Sequence, residues 1–166
     1  AGATLTVTEI VKLLLVLAIS WLYIMAFFSL AAFLALSTKT LSIALIVAFT
    51  IWLVFVLILP QIGDTMDPDN QIPGGFFASI HFNKQQEKQV LTKFSLYENA
   101  RDFVEELSVT KHYERACFAL FGIKPEFNGA SIPNIISQKW FDLLVVVSFF
   151  VVGTYASYTI LKRKDI

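Results

Sequence analysis

The sequence predicts an all-α membrane protein, with three transmembrane helices and a mainly helical extracytoplasmic domain between the second and third. Three observations carry this. Uncharged, apolar runs occupy residues 13–38, 40–63 and 143–161. Each is long enough, at about 1.5 Å rise per residue, to cross or nearly cross a hydrocarbon core of about 30 Å. The hydrophobic fraction is 56% and the mean hydropathy is +0.66, more apolar than an ordinary soluble domain requires. Finally, the one long water-compatible stretch, residues 64–139, falls between the second and third runs. The chain therefore divides into a helical hairpin over 1–62 (spans at about 9–37 and 40–62), a helical cap over 63–139, and a last span with a basic end over 140–166.

In the first span, Glu9 and Lys12 sit at the mouth of an apolar run too long for a signal peptide. Its small residues Ala18, Ser29, Ala32 and Ala35 include pairs at helical spacing, which let another helix approach closely in lipid. The deep aromatics Trp21, Tyr23, Phe27 and Phe28 read as packing bulk. The four residues 37–40 form a turn suited only to an antiparallel helical hairpin. Ile, Val, Leu and Phe dominate the second span, so much of it faces lipid, with Trp52 near its centre. Pro60 comes late, where a kink is absorbed as the helix leaves the membrane.

Residues 63–79 are turn chemistry, since Pro68, Pro73, Gly74 and Gly75 exclude regular helix. Asp64, Asp67, Asp69 and Asn70 invite a hard-cation reading. They lack the glycine and glutamate placement of a Ca²⁺ loop, and a solvated helix exit is the simpler account. From Asn83 onward Val90, Phe94, Tyr97, Ala100, Val104 and Leu107 recur at three- and four-residue steps, marking an amphipathic helix with a break near Ser95. Ser108 or Thr110 offers the N-cap of a further helix through Tyr113, Ala116, Cys117, Leu120 and Phe121, ended by Gly122. The expected core of the cap is Val90, Phe94, Tyr97, Val104, Leu107, Tyr113 and Leu120. His81 and His112 read as surface or capping residues. Residues 123–137 read as an irregular return strap, and Trp140 and Phe141, flanked by Lys139 and Asp142, as an interfacial belt. The last span carries a second small-residue stripe, Gly153, Ala156 and Ser157, expected to pack against the first.

Zero net charge gives no field for nucleic acid. The lone Cys117 forms no intrachain disulfide and reads as a small buried hydrophobe. No zinc-like cluster or phosphate-binding glycine loop is present, so no catalytic, cofactor-binding or metal-binding residue is assigned. The uncharged runs hold no paired aspartates, no histidine cluster and no serine with a base, which argues against an intramembrane enzyme. Lys162, Arg163 and Lys164 abut the last span and place the C-terminus in the cytoplasm, with residues 64–139 outside. Three spans then put Ala1 outside. An external start with no initiator methionine leads to the expectation of further sequence upstream, carrying an odd number of spans.

The hairpin AFLALSTKTLSIALIVAFTIWLVFVLILPQIG, the stretch LSVTKHYERACFALFG over 107–122, and the terminal YTILKRKDI together resemble the C-terminal half of a permease of the type 2 ATP-binding-cassette (ABC) exporter class. That class includes the copper-reductase-associated and gliding-associated permeases. In the external stretch Val109 stands where the family has a proline. The resemblance implies six spans in the whole permease, a second permease subunit, a separate ATP-binding-cassette ATPase subunit, and a multi-pass place in the plasma membrane among its lipids. The competing expectation is a non-transporting membrane scaffold whose external cap binds an envelope protein.

Overall fold

The computed structural model describes residues 6–68, 72–73 and 75–164, and among them the regular elements are all helical. Three helices are long and apolar enough to cross a membrane: Val7–Ser37, Leu41–Met66 and Ile132–Arg163. Two compact units emerge, residues 1–52 with 112–166, and residues 53–111.

In the first unit, α1 (Val7–Ser37) opens with a capping box. The Thr6 hydroxyl oxygen accepts the Glu9 N–H, and the Glu9 carboxylate accepts the Thr6 N–H at 2.6 Å, satisfying two donors that a helix start leaves orphaned. At the other end the Ser37 and Thr38 hydroxyls donate back to the carbonyls of Phe33 and Leu34. Helix α2 (Leu41–Leu53) buries only Ala44 within this unit, and Leu41, Ile43, Leu45, Ile46 and Phe49 are exposed. Helix α7 (Val109–Phe121) ends as its sequence dictates. Gly122 adopts φ +66°, its N–H bonds to Ala119 O, and the Ile123 N–H reaches Phe118 O. That pair of bonds is a Schellman motif, for which a residue without Cβ is the favoured choice.

The return strap is shorter than the sequence suggested. A single 3₁₀ turn, Pro125–Phe127, leads into α8 (Ile132–Lys164), so residues 132–137 are helical and not irregular. Pro133 is no obstacle there, because a proline in the first turn lacks an N–H that would be unpaired anyway. The unit's core joins Val16 of α1, Cys117, Ala119 and Leu120 of α7, Phe127, and Ile135 of α8.

The helix begun at α2 continues past Pro60. It passes through one π turn, Val54–Ile58, and continues as α3 (Leu59–Met66). The physical reason is local. Leu59 N–H bonds to Val54 O, one residue further back than in an α-helix. The Phe55 carbonyl has thus lost its usual donor, and the next position, Pro60, has no N–H to give. Ser108 fills the gap: its hydroxyl donates to Phe55 O at 2.9 Å, while its oxygen accepts the Lys111 N–H at 3.3 Å as α7 begins. Ser108 is fully buried.

Helix is also present within residues 63–79, contrary to the turn reading, in the end of α3 and in the short α4 (Phe76–Ser79). Asp64 pairs with Lys111, and Asp67 lies 3.8 Å from Arg101, which also meets Glu98 at 3.0 Å and Asp102 at 3.2 Å. These two aspartates are ion-pair partners and not merely a solvated exit. Asp69, Asn70 and Gly74 lie outside the described residues. The apolar stripe is split at Phe94 (φ −106°, ψ 27°) into α5 (Lys84–Lys93) and α6 (Ser95–Glu106). Gly63 of α3 lies beneath Glu105 of α6, where an added Cβ would fall 2.6 Å from Glu105 Cγ.

Ser108→Ala should remove both the hydroxyl donor to the Phe55 carbonyl and the acceptor of the Lys111 N–H. A loss of about 1–3 kcal/mol is expected in chemical unfolding followed by circular dichroism. Ser108→Thr, which keeps the hydroxyl, should recover most of it; an unchanged Ser108→Ala midpoint would remove Ser108 from this role.

Candidate functional site

Two constructions in the first unit concern how a bundle of this kind can work. The first is the seam between α1 and α8. Ser29 is buried, and a Cβ built on Gly153 would collide with its hydroxyl. The Ser29 hydroxyl turns back to Ala26 O at 2.7 Å, and the Ser157 hydroxyl donates to Gly153 O at 2.8 Å and approaches Ser29 O at 3.3 Å. Phe27 meets Phe149 at 5.6 Å between ring centroids, and Ile19 lines one pocket with Ile135 and Leu143. Partner numbers rise together along both helices, so α1 and α8 run parallel.

Of the small residues singled out by sequence, Ser29, Gly153 and Ser157 are brought together. Ala32 and Ala156 are half-buried, whereas Ala18 and Ala35 are exposed. The causes differ. Ala35 lies about 120° round the helix from Ser29, whereas Ala18 shares the phase of Ser29 to within about 20° but sits about 16 Å nearer the start of the helix. The buried positions of α1 are Val16, Ala26 and Ser29. Of the expected cap core, Val90 and Val104 are half-buried. Phe94, Tyr97 and Leu107 are exposed, Phe94 to 61%. Val90, Phe94 and Tyr97 do line one open apolar groove with Phe76 and Phe77. Tyr113 and Leu120 belong to the other unit. Tyr113 stacks on Tyr23 at 4.4 Å and shares a 2.8 Å bond with the Ser20 hydroxyl.

The second construction is polar. His112 is not a surface residue: it is 1% exposed, and its Nδ1 lies 2.7 Å from Oδ1 of Asp142, which is itself buried. The imidazole N–H donates and the carboxylate accepts. The other carboxylate oxygen faces Lys139 Nζ at 3.5 Å, and that ammonium lies 5.6 Å above the ring of Phe127. Phe141 sets its edge or face against the imidazole at 5.6 Å. Because α8 begins at Ile132, Lys139 and Asp142 both lie within its length. The pair ties α7 to α8 by a charge-assisted bond in a water-poor place.

Sequence reading missed this pair, although the signal was there. His112 occupies the same three- and four-residue stripe as Val109, Tyr113, Ala116, Cys117 and Leu120, a stripe whose other members read as core. Cys117 is buried as expected. Burial pushes its thiol up against the smaller, opposing effect of a bond from Tyr113; burial likewise pushes the Tyr113 phenol up, with Ser20 opposing. Among the described residues no three His, Cys, Asp or Glu side chains gather as a metal site.

Comparison with known families finds one whose description, ABC-2 family transporter protein, matches residues 1–166. No curated protein matches the chain, and no solved structure does.

Asp142→Ala should cost about 1–3 kcal/mol in thermal unfolding, because the buried imidazole N–H loses its carboxylate acceptor. Replacing both members, His112→Phe with Asp142→Leu, should cost clearly less than the sum of the single changes. Strict additivity would show that the two are not coupled. Cys117 should resist maleimide in the folded protein and react on denaturation, since its thiol is shielded and its thiolate disfavoured; rapid labelling of folded protein would contradict that burial.

Proposed function

Because this chain belongs to the ABC-2 family of transporter proteins, we propose that it is a permease subunit whose spans wall a translocation pathway together with a partner permease. As a membrane component of an ABC transporter it is not itself the catalyst. ATP hydrolysis falls to separate ATPase subunits, which drive the pathway by shifting its population between inward- and outward-open states. The observation that carries the reading is the family match over the whole chain, joined to three helices of membrane-spanning length.

The seam gives this proposal a mechanical part. Apolar residues gain nothing by leaving lipid for another apolar surface, so two helices in a bilayer hold through close contact and backbone-directed hydrogen bonds. At Ser29, Gly153 and Ser157 the α1 and α8 backbones approach closely enough for both. Such a contact lets α1 and α8 move as one wall element. In the proposed orientation the Lys162–Lys164 end is cytoplasmic and residues 64–139 lie outside a cell membrane that the chain crosses several times. The parallel run of α1 and α8, with one further span between them in sequence, supports that arrangement.

Gly153→Leu should drive a side chain into Ser29 and destabilise the bundle by about 1–3 kcal/mol. ATP-driven transport by the reconstituted complex should be abolished while membrane insertion persists. Normal transport with normal thermal stability would remove the seam from the mechanism. Copurification with a nucleotide-binding subunit is expected; recovery with envelope proteins alone would support a scaffold instead. For orientation, a cysteine at Asp102 should label from outside intact cells and one at Lys162 should not, and the reverse pattern would overturn the topology.

A further inference from the structure

We propose that the first unit holds a phospholipid of the surrounding bilayer, its phosphate on Lys12 and the upper part of one acyl chain in an apolar pocket between α1, α7 and α8. Two adjoining cavities, which share Leu120, carry the inference. One is a cleft of about 500 Å³ with a polar rim that includes Thr6, Glu9, Lys12 and Asn128. The other, about 110 Å³ and more enclosed, is walled by Leu15, Ile19, Leu120, Ile135, Ile136 and Leu143. A polar chamber opening beside a narrow apolar one has the shape of a lipid's headgroup and the first methylenes of its chain.

The order along α1 fits a bilayer. Lys12, Leu15 and Ile19 follow one another at three- and four-residue steps, so they share a face. By helical rise Leu15 is about 4.5 Å and Ile19 about 10 Å further along the helix than Lys12. A headgroup at Lys12 therefore sends its chain inward along the hydrocarbon, past Leu15 and Ile19. Charge then selects phosphate. Glu9 uses one carboxylate oxygen, Oε2, to accept both the N–H and the hydroxyl of Thr6, at 2.6 and 2.8 Å, and so serves as a helix cap. The Lys139 ammonium is committed to Asp142 and to the Phe127 ring, so that residue lends the pocket its aliphatic stem. Lys12 is the half-buried cation on the cleft, and the Glu9 carboxylate, one turn away on the same rim, is close enough to act on its charge. A lysine ammonium is a compact point charge suited to a phosphate oxygen. At the cleft Gly129 has φ +74° and no atom within 4 Å of a would-be Cβ, so this wall stays open for a bulky headgroup. The proposal concerns lipid binding and stands whether or not the chain transports anything.

The test is native mass spectrometry of the full chain, purified in mild detergent and titrated with phosphatidylglycerol. One lipid per chain should be retained. Lys12→Ala should weaken binding roughly fivefold, the effect of one basic residue near an anionic lipid surface. Ile136→Trp, placed at the exposed mouth of the apolar pocket, should weaken it as well, while Ile43→Trp on the exposed side of α2 should not. Phosphatidylcholine, which keeps the phosphate, should share the dependence on Lys12. Diacylglycerol, which lacks it, should bind wild type no better than phosphatidylglycerol binds Lys12→Ala, and should be indifferent to that change. Unaltered melting of Lys12→Ala will separate a lost contact from a lost fold. Equal lipid retention by wild type, Lys12→Ala and Ile136→Trp would overturn the site, and so would diacylglycerol binding as tight as that of phosphatidylglycerol.

Discussion

Close approach of two backbones in a solvent that offers no hydrophobic reward is the constraint on which the first unit depends. Lipid tails are as apolar as leucine, so α1 and α8 are held by what happens within a few ångströms of their axes. Gly153 makes that approach possible, since even a methyl group there would strike Ser29. Ser29 contributes twice, keeping its hydroxyl occupied on Ala26 and presenting its carbonyl toward Ser157. Once the register is fixed at this point, the parallel course of the helices brings Phe27 to Phe149 and Ile19 to the Ile135 and Leu143 pocket. Helix α7 then packs between the ends nearest Lys12 and Ile132. It meets α1 through Tyr113 on Tyr23 and Ser20, and meets α8 through His112 on Asp142.

The second unit answers a different difficulty, a proline in a long helix. Pro60 removes a donor, and the π turn before it redirects another, so the Phe55 carbonyl does without its usual donor from the helix. The hydroxyl of Ser108 completes the ladder from outside the helix and in doing so fixes where α7 begins. Membrane-spanning helices tolerate prolines when a neighbouring hydroxyl takes up the freed group, and this is one such case. Two functions in one serine explain its complete burial.

What the sequence made legible followed from strong local signals. Length and hydropathy marked three spans. The end of α7 at Gly122 and the break between α5 and α6 beside Ser95 were readable from glycine chemistry and from a faltering stripe. What escaped was long-range or depended on phase. The π turn before Pro60 was not readable because the hydroxyl that completes it, on Ser108, lies 48 residues beyond Pro60 in sequence. Residue type alone picked out Ala18 and Ala35, although small size says nothing of the face or of the level along the helix at which a residue meets a neighbour. His112 was taken for a surface residue because histidine is polar, yet its position in the α7 stripe already pointed inward. The pairing of Asp142 with His112 escaped because the two lie 30 residues apart in sequence. For Ala35 and His112, helical phase carried more information than residue character.

Disulfide trapping tests the central contact most directly. In a Cys117→Ala background, cysteines at Ser29 and Gly153 should oxidise readily to an intrachain bridge in native membranes. A Cβ at Gly153 would lie 3.2 Å from that of Ser29, slightly inside the usual range of about 3.5–4.5 Å for bridged cysteines, and a few tenths of an ångström of adjustment would admit the bond. A control pair at Ala18 and Gly153, separated by about 16 Å along α1 from the Ser29 contact, should stay reduced under the same treatment. Bridging of the first pair alone is the result expected of parallel helices in this register. Failure of the Ser29–Gly153 pair to cross-link, or equal cross-linking of both pairs, would contradict it.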